Sequence, residues 1–470
     1  MREVPVAARS LEALTGLARD EDLRAFREIA SSVAGRLGGH TVWHVNSTDA
    51  GGGVAELLHQ LLGYLVGRDI ATRWMVVEGD PAFFGVTKRL HNRLHGVDGA
   101  PLGSEERDVY ARALRKEARS FLDVARPGDV VVLHDPQTAG LAGPLAEAGV
   151  RVMWVSHIGV DVADDVTRSA WSFLLPAVSP ADAYVFSRQA YVWDGLDANR
   201  SFVIPPCIDP TSAKNADLAA ADVGSILAAS GVVGEIDEHE VPWDDGTIRI
   251  RSKAEVVEKI PTPPGAPIVA QISRWDRLKD PLGVLRGFEA GVDRRLGAHL
   301  LLVGPNPRSV SDDPEGAEAF EDVHRAWREL PDDARERIHL VNLAVDDRIE
   351  NALVVNAIQR LADVVVQKSI AEGFGLTVAE AMWKERPVVG SRVGGIQDQI
   401  VDGQSGLLVD PRDPVAMGQA VESLLGNPVF AGAIGHASRE RVRDRFLPPH
   451  FLGAHLRVVQ GILDRPTVET

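Results

Sequence analysis

The sequence predicts an α/β protein built from two doubly wound domains. Short runs rich in Val and Ile alternate with longer stretches of helical period, which is typical of parallel sheets covered by helices. This rhythm stops once and then restarts, and a length of 470 residues suits two or three domains with their own cores. Because ligands of open α/β sheets settle outside the carboxyl ends of the strands, two such domains facing each other predict an interdomain cleft.

The first half of the chain begins this rhythm with a strand, a glycine turn and a helix. Residues 41–46 are predicted as a strand, and the turn follows at Gly51–Gly53. One apolar stripe at helical spacing then predicts a helix, and it consists of Val54, Leu57, Leu58, Leu61, Leu62 and Leu65. Further strands are predicted at 72–77, 129–133, 151–155, 183–186 and 202–204, with helices between most of them.

The rhythm stops between about 209 and 267, where an acidic run at 234–238 and a proline-rich run at 261–265 occur. We interpret 211–265 as a linker or surface insertion with some helix near 216–229. The rhythm then resumes with strands predicted at 268–272, 299–303, 339–342, 364–367, 388–390 and 407–409. The predicted domains are therefore 1–210 and 266–445, followed by a C-terminal helix at 446–470 whose return to the first domain stays open.

Composition and charge exclude several classes of protein. Fifty Lys and Arg stand against 67 Asp and Glu, and a net charge of −17 argues against binding nucleic acid or an anionic membrane. The single cysteine, Cys207, excludes internal disulfides and thiolate metal clusters. No HExxH motif, 18-residue apolar stretch or signal-peptide core occurs. We therefore expect a soluble cytoplasmic protein with small-molecule partners and no metal site.

The densest group of chemically active residues lies at 369–382, after one predicted strand and at the start of a helix. Gly373 and Gly375 allow close approach of backbone to a ligand, and the first N–H groups of the helix suit phosphate. Glu372 and Glu380 would stand roughly 12 Å apart on a continuous helix. A glycosidase pair needs about 5–10 Å, so two carboxylates that hold separate hydroxyl groups of one long ligand fit better. A helix start that simply favours Glu remains an alternative.

Other candidate residues also follow predicted strands. Arg274 and Lys279 could hold the oxygens of a diphosphate, although a solvated loop is the competing interpretation. The triglycine turn is neither a G-x-G-x-x-G motif nor a P-loop, and a turn without a ligand stays open. His134 and His157 could point into a cleft or play a structural role. The D-x-D motif at residues 20–22 lies in a helical segment, so it does not predict a metal-bridged diphosphate.

Together these motifs resemble the retaining glycosyltransferases of family four, which have the GT-B fold of two Rossmann-like domains. Glu372 and Glu380 match the E-x7-E motif of that family, Arg274 and Lys279 match its diphosphate-binding pair, and Gly51–Gly53 matches its glycine loop. A narrower resemblance is to the trehalose glycosyltransferring synthases and the retaining trehalose phosphorylases. The segments that carry it are 44–59, 76–96, 134–141, 204–210 and 369–396.

The resemblance implies reversible transfer of glucose from a nucleoside diphosphate glucose to glucose, giving α,α-trehalose. It implies catalytic roles for Arg274, Lys279, Glu372 and His157. The donor contacts that it implies are Gly52, Gly53, Arg274, Lys279, Glu372, Gly373, Phe374, Gly375, Leu376, Thr377 and Glu380. The acceptor contacts that it implies are Glu78, Asp80, Lys88, His91, Asn92, Asp135 and His157.

The resemblance implies that the reaction requires no cofactor and that a divalent ion would at most stimulate it. Whether the protein forms a homodimer stays open. Three alternatives also stay open: phosphorolysis of trehalose, transfer to a different small sugar, and binding of a sugar nucleotide without catalysis.

Overall fold

The structure, a computed structural model, describes residues 1–50, 52–243, 246–308 and 314–465. The elements of the first half are β1 Arg2–Val4, α1 Asp20–Leu37, β2 Val42–Asn46, α2 Gly53–Val66, β3 Thr72–Val76, α3 Pro81–Leu94, α4 Ser104–Leu122, β4 Val130–His134, α5 Asp135–Thr138, α6 Ala142–Glu147, β5 Arg151–Ser156, α7 Asp165–Val178, β6 Ala183–Phe186 and β7 Ser201–Val203.

The second half alternates strands and helices in the same way. Its elements are α8 Ala220–Ala229, β8 His239–Trp243, β9 Gly246–Ile250, β10 Glu255–Val257, β11 Ile268–Ile272, α9 Pro281–Gly291, β12 His299–Pro305, α10 Pro314–Glu329, α11 Asp332–Arg335, β13 Ile338–Leu343, α12 Arg348–Leu361, β14 Val364–Gln367, α13 Leu376–Trp383, β15 Val388–Ser391, α14 Ile396–Gln399, β16 Leu407–Val409, α15 Pro414–Leu425, α16 Pro428–Arg445 and α17 Pro448–Leu463.

The chain forms two units, each with one large parallel sheet, so the predicted class of two doubly wound domains is confirmed. The first unit comprises Met1–Asp209 and the chain from Arg445 onward, which includes α17. The second unit runs from Pro210 to Asp444. The segment predicted as a linker, 211–265, therefore lies in the second unit, where it contributes α8, the β8–β9 hairpin and β10. Residues 466–470 of the predicted C-terminal helix lie outside the described residues.

The sheet of the first unit has the order β1-β3-β2-β4-β5-β6-β7, in which only β1 runs antiparallel to its neighbour. Strands β2, β4 and β6 are buried along their whole length, which explains their near-continuous apolar sequences. Helix α2 buries the leucine stripe that the sequence predicts. The strand order reverses between β2 and β4, so a ligand crevice of this sheet is expected at the carboxyl ends of those two strands.

The sheet of the second unit has the order β10-β13-β12-β11-β14-β15-β16. Strands β11 to β16 are parallel, and β10 runs antiparallel to β13 at the edge. The order reverses between β11 and β14, which pair directly. The loops after these two strands carry both sequence motifs of the second half, and this order therefore sets them side by side. Within the described residues, no helix has the length and apolar character needed to cross a membrane.

Candidate active site

Two loops of the second unit form the framework of the candidate site, one after β11 and one after β14. The backbone N–H of Ile370 donates a hydrogen bond to the carbonyl of Leu278 at 2.7 Å, which joins the loops directly. The ammonium of Lys368, fully buried, pairs with the carboxylate of Asp280 and donates to the carbonyl of Pro411 at 2.6 Å. These contacts fix the main chain on both sides of the residues that carry the chemistry.

Lys279 and Glu372 meet between these loops. The ammonium Nζ of Lys279 lies 2.6 Å from Oε2 of Glu372, and both side chains are largely buried, at 18% and 11% exposure. The hydroxyl of Ser369 donates to the same carboxylate oxygen at 3.2 Å. The side-chain amide of Gln271 donates to the carbonyl of Lys279 at 2.7 Å, which holds the lysine backbone in place. A cation fixed in this way can share its charge with an anionic ligand.

Arg274 occupies a different position from Lys279. Its side chain is 66% exposed, and the guanidinium contacts the carboxylate of Asp276 at 3.2 Å on the same loop. The structure thus brings Lys279 and Glu372 together, whereas the pairing of Arg274 with Lys279 on a diphosphate stays a prediction.

A glycine-rich turn follows Glu372 and is held by the α14 region. The N–H of Gly395 donates to the carbonyl of Gly373 at 2.9 Å. The side-chain amide of Gln399 donates to the carbonyls of Phe374 at 2.5 Å and Gly375 at 3.2 Å. Gly375 has a φ of +84°, a conformation that favours glycine. The carbonyl groups of this turn therefore point toward Gly395 and Gln399. The start of the next helix is the part of the loop that can meet a ligand.

Helix α13 starts immediately after this turn, with Leu376 and Thr377 as its first two residues. Glu372 lies before the helix, so the predicted separation of roughly 12 Å along one continuous helix does not describe the two glutamates. The N–H of Val378 already bonds to the carbonyl of Gly375 at 3.0 Å, so Leu376 and Thr377 supply the N–H groups of this helix start that suit a phosphate or a sugar oxygen.

Glu380 lies in the second turn of α13 and is buried, at 4% exposure. Its carboxylate contacts Nζ of Lys214 at 3.6 Å and the side-chain amide of Gln359 at 3.5 Å. Lys384, also buried, donates to the backbone carbonyl of Glu380 at 3.2 Å and to the side chain of Asn215 at 3.1 Å. Burial lowers the pKa of Lys384 to about 7, and the charge of Glu380 opposes that shift. The sequence did not suggest Lys214 or Lys384 as site residues. Lys214 lies in the segment predicted as a linker.

The glycine turn of the first unit precedes α2. Gly52 lies directly before the helix with a φ of +80°, and Gly53 is its first residue; both are exposed. Gly51 lies outside the described residues. The turn follows β2, one of the two strands at which the order of this sheet reverses, and a ligand contact of these glycines stays a prediction.

Two predicted residues of the first unit lie together at the ends of β4 and β5. A carboxylate oxygen of Asp135 accepts the backbone N–H of His157 at 2.8 Å, and Asp135 itself has a φ of +62°. Nε2 of His157 lies 3.1 Å from Nδ1 of His134, and Nε2 of His134 lies 3.1 Å from Nδ1 of His44. Burial lowers the pKa of His157, and the charge of Asp135 opposes that shift.

The remaining predicted acceptor residues lie on or just before α3. Asp80 caps this helix by accepting a backbone N–H at 2.8 Å, and the side chain of Glu78 is 63% exposed. Lys88 is exposed on the helix, whereas His91 and Asn92 are half-buried. The structure thus places these five residues in one region, and their contact with a sugar stays a prediction.

Comparisons with known proteins show which family the chain resembles. Residues 44–193 match the family model described as the N-terminal domain of trehalose synthase, and residues 266–427 match that of group 1 glycosyl transferases. The chain is 35% identical to a trehalose synthase of Pyrococcus horikoshii, over 98% of this chain and 99% of that protein. It is 36% identical to a trehalose synthase of Rubrobacter xylanophilus, over 92% of each.

Solved structures show the same fold. An α,α-trehalose 6-phosphate synthase from Burkholderia multivorans superposes with a TM-score of 0.66 at 16% identity, over 90% of this chain and 99% of that chain. At this level of identity the likeness concerns the fold alone, which is the GT-B arrangement that the sequence motifs predict.

Proposed function

The chain belongs to the trehalose synthase family of glycosyltransferases, and from that premise we propose that it moves glucose reversibly from a nucleoside diphosphate glucose to glucose, forming α,α-trehalose. The observation that carries this proposal is the contact of Lys279 with Glu372 beside a glycine turn and a helix start. This arrangement offers one cation and several N–H groups for a diphosphate, and a carboxylate for sugar hydroxyls.

The departing phosphate is the place where negative charge develops, and fixed cations act most strongly there. We assign that role to Lys279, with Arg274 as its partner on the second phosphate oxygen. Lys279 is held by backbone and side-chain contacts before any ligand arrives, so little reorganisation is needed when the bond to the glucose breaks.

Retention of configuration follows if the acceptor attacks the face of the donor sugar that the phosphate leaves. The bond between the anomeric carbon and the phosphate oxygen breaks, and a bond to the hydroxyl oxygen of the acceptor glucose forms. The acceptor proton passes to the departing phosphate, so the reaction needs no carboxylate nucleophile and no resident cofactor. This scheme fits a site in which Glu372 already neutralises a lysine instead of standing free beside a second carboxylate.

The two glutamates have separate roles in this scheme. Glu372 binds hydroxyl groups of the donor glucose, and Glu380 accepts hydrogen bonds from the ribose. The acceptor glucose contacts Asp135, His157 and residues on or before α3.

The proposal is tested with purified protein, trehalose and a panel of nucleoside diphosphates, by measuring formation of the sugar nucleotide and glucose. The matched variants are Lys279→Ala, which we expect to lose the activity, and Arg277→Ala, which we expect to retain it. Arg277 lies on the same turn, but its side chain is 69% exposed and pairs with Asp322.

Parallel reactions separate the alternatives. Glucose 1-phosphate formed from trehalose and inorganic phosphate would replace the proposal by phosphorolysis, and trehalose formed from maltose alone would replace it by isomerisation. Nucleotide binding in calorimetry without turnover of any of these substrates would identify a binding protein.

A further inference from the structure

Three histidines of the first unit form a continuous hydrogen-bonded chain. His44 lies in β2, His134 ends β4 and His157 follows β5, and these strands are neighbours in the sheet. The N···N distances are 3.1 Å for both links. The rings are stacked with centroids 5.4 Å apart in both pairs and interplanar angles of 22° and 14°. Nε2 of His44 and Nδ1 of His157 are left as the ends, and neither has a hydrogen-bond partner within the described residues.

Burial disfavours the charged form of all three imidazoles. Burial lowers the pKa of His44 to about 3 and that of His134 well below its usual value, and it also lowers the pKa of His157. A neutral imidazole carries one N–H, so each ring of the chain can donate once and accept once. Only two arrangements satisfy both links. The terminal proton lies either on Nδ1 of His157 or on Nε2 of His44.

The surroundings of His44 favour the first arrangement. His44 is 8% exposed and helps to line a cavity of about 30 Å³ between α2, α17 and the sheet. The walls of this cavity are mainly apolar, and they include Leu57, Leu58, Leu61, Phe451, Leu452 and Leu456. His134, His157 and His455 also line the cavity; the Nδ1–H of His455 donates to the carbonyl of Phe451 at 2.9 Å, and no hydrogen bond joins His455 to His44 within the described residues. His44 is buried whereas His157 is only half-buried, and orphaned buried N–H groups are rarer than under-satisfied acceptors, so the terminal proton is better placed on His157.

We propose that His44 and His134 are positioning residues that fix His157 as its Nδ1–H tautomer, so that His157 offers a hydrogen-bond donor to an oxygen of the bound sugar. This inference rests on the proposed function only in taking that ligand as a sugar. It agrees with a reaction in which the phosphate takes the proton of the acceptor, because a donor at Nδ1 does not act as a base.

The tautomer can be measured directly by ¹⁵N NMR of the whole protein labelled with [¹⁵N]histidine, because protonated and bare ring nitrogens resonate apart. His157→Gln identifies the signals of His157. We expect a protonated Nδ1 and a bare Nε2 in the wild type. A protonated Nε2 on His157 in the wild type would overturn the inference.

Variants separate positioning from mere packing. In His44→Phe the first link is lost, and we expect the His157 tautomers to mix and the kcat/KM for glucose to fall about tenfold, the value of one hydrogen bond. His44→Asn keeps a donor near the Nδ1 position, and it should restore the single tautomer. His455 lines the same cavity but is not one of the three hydrogen-bonded histidines, so His455→Phe should leave the tautomer of His157 unchanged.

An unchanged tautomer in His44→Phe would overturn the role of His44 and His134. If the spectra show the expected tautomer but no sugar substrate is turned over, the proposed function fails and the tautomer assignment stands. If sugar is turned over while His157 carries its proton on Nε2, this inference alone fails.

Discussion

Gly395→Ala tests whether the glycine turn must keep its place, without replacing any residue proposed to contact the substrate. Gly395 has helical dihedral angles, φ −66° and ψ −14°, so alanine fits its backbone. A Cβ at this position would lie 2.6 Å from Cα of Phe374, 2.8 Å from its carbonyl oxygen and 2.9 Å from the carbonyl oxygen of Gly373. All three neighbours are backbone atoms, which cannot move aside by rotating a side chain.

The required displacement is close to an ångström. Ordinary contact begins at 3.4 Å, so the nearest atom of Phe374 must retreat by about 0.8 Å. A misplacement of about 1 Å in a catalytic site costs about 100-fold in rate, which corresponds to about 2.7 kcal/mol. Overpacking of this kind also costs about 1–3 kcal/mol of unfolding free energy. We therefore expect kcat/KM for the nucleotide to fall about 100-fold and Tm to fall by several degrees.

The assay combines initial rates of sugar-nucleotide formation from trehalose, calorimetric Kd for the nucleoside diphosphate, and thermal unfolding. Gly432→Ala is the matched control. Gly432 is exposed in α16, a Cβ added there would meet no neighbouring atom within 4 Å, and alanine should stabilise that helix by about 0.5–1 kcal/mol. If Gly395→Ala keeps kcat/KM and Kd within threefold of the wild type, the turn does not need this geometry and the reasoning is refuted.

Three further substitutions probe the charges of the second unit. Lys279→Ala should lower kcat at saturating donor by about 100–1000-fold, since it removes a cation from the leaving group; unchanged turnover would contradict that role. Glu380→Ala should chiefly raise the KM of the nucleotide by about 10–100-fold, because ribose contacts stabilise ground and transition states alike; a pure loss of kcat would argue otherwise. Lys384→Met should stabilise the protein more at pH 7 than at pH 9. The folded pKa of about 7 lies below the usual 10.5, so in the wild type the penalty for the buried charge is complete below pH 7 and fades as pH rises. The difference in unfolding free energy between variant and wild type should therefore shrink by about 2 kcal/mol between pH 7 and pH 9. Chemical denaturation at both pH values measures this difference. The same difference at both pH values would contradict the reasoning.

The buried parallel strands were predictable because both of their faces are covered. Strands predicted at 183–186, 268–272, 364–367 and 407–409 coincide with β6, β11, β14 and β16. Most other strands shift by one or two residues at their ends, where hydrogen bonding, and not hydrophobicity, sets the limit. The leucine stripe likewise predicted α2 to within one residue at each end.

The middle segment was harder to predict because its strands carry little apolar pattern. In β8 and β9 only Val241 and Ile250 are buried. Strand β10 has no fully buried residue, and it joins the sheet by pairing its backbone with β13 at the edge. Backbone pairing leaves no hydrophobic signature, so the sequence favoured a linker where the structure has a hairpin and an edge strand.

Within the candidate site, sequence could place motifs after strands but could not identify their partners. The surroundings of Glu380 show why. Lys214 reaches it from an irregular segment 166 residues earlier in the chain, and no local pattern signals that contact. The role of His44 could not be predicted either, since a lone histidine in an apolar strand gives no indication of the hydrogen bond to His134.

Strand order explains why the two motifs of the second unit meet although Lys279 and Glu372 are 93 residues apart. Only the first and fourth parallel strands flank the reversal in that sheet, and the loops after them carry these two residues. The first sheet reverses between its first and third parallel strands, β2 and β4, and its candidate residues follow these two strands and their neighbours β3 and β5. The fold therefore sets where a ligand can bind, and the side chains set which ligand it is. At the reversal of the second sheet, Glu372 already contacts the ammonium of Lys279, so under the proposed function an entering diphosphate would share that ammonium with a carboxylate. A shared cation binds the intact donor less tightly than a free one would, and its attraction grows as charge collects on the departing phosphate, which is the difference that accelerates a reaction.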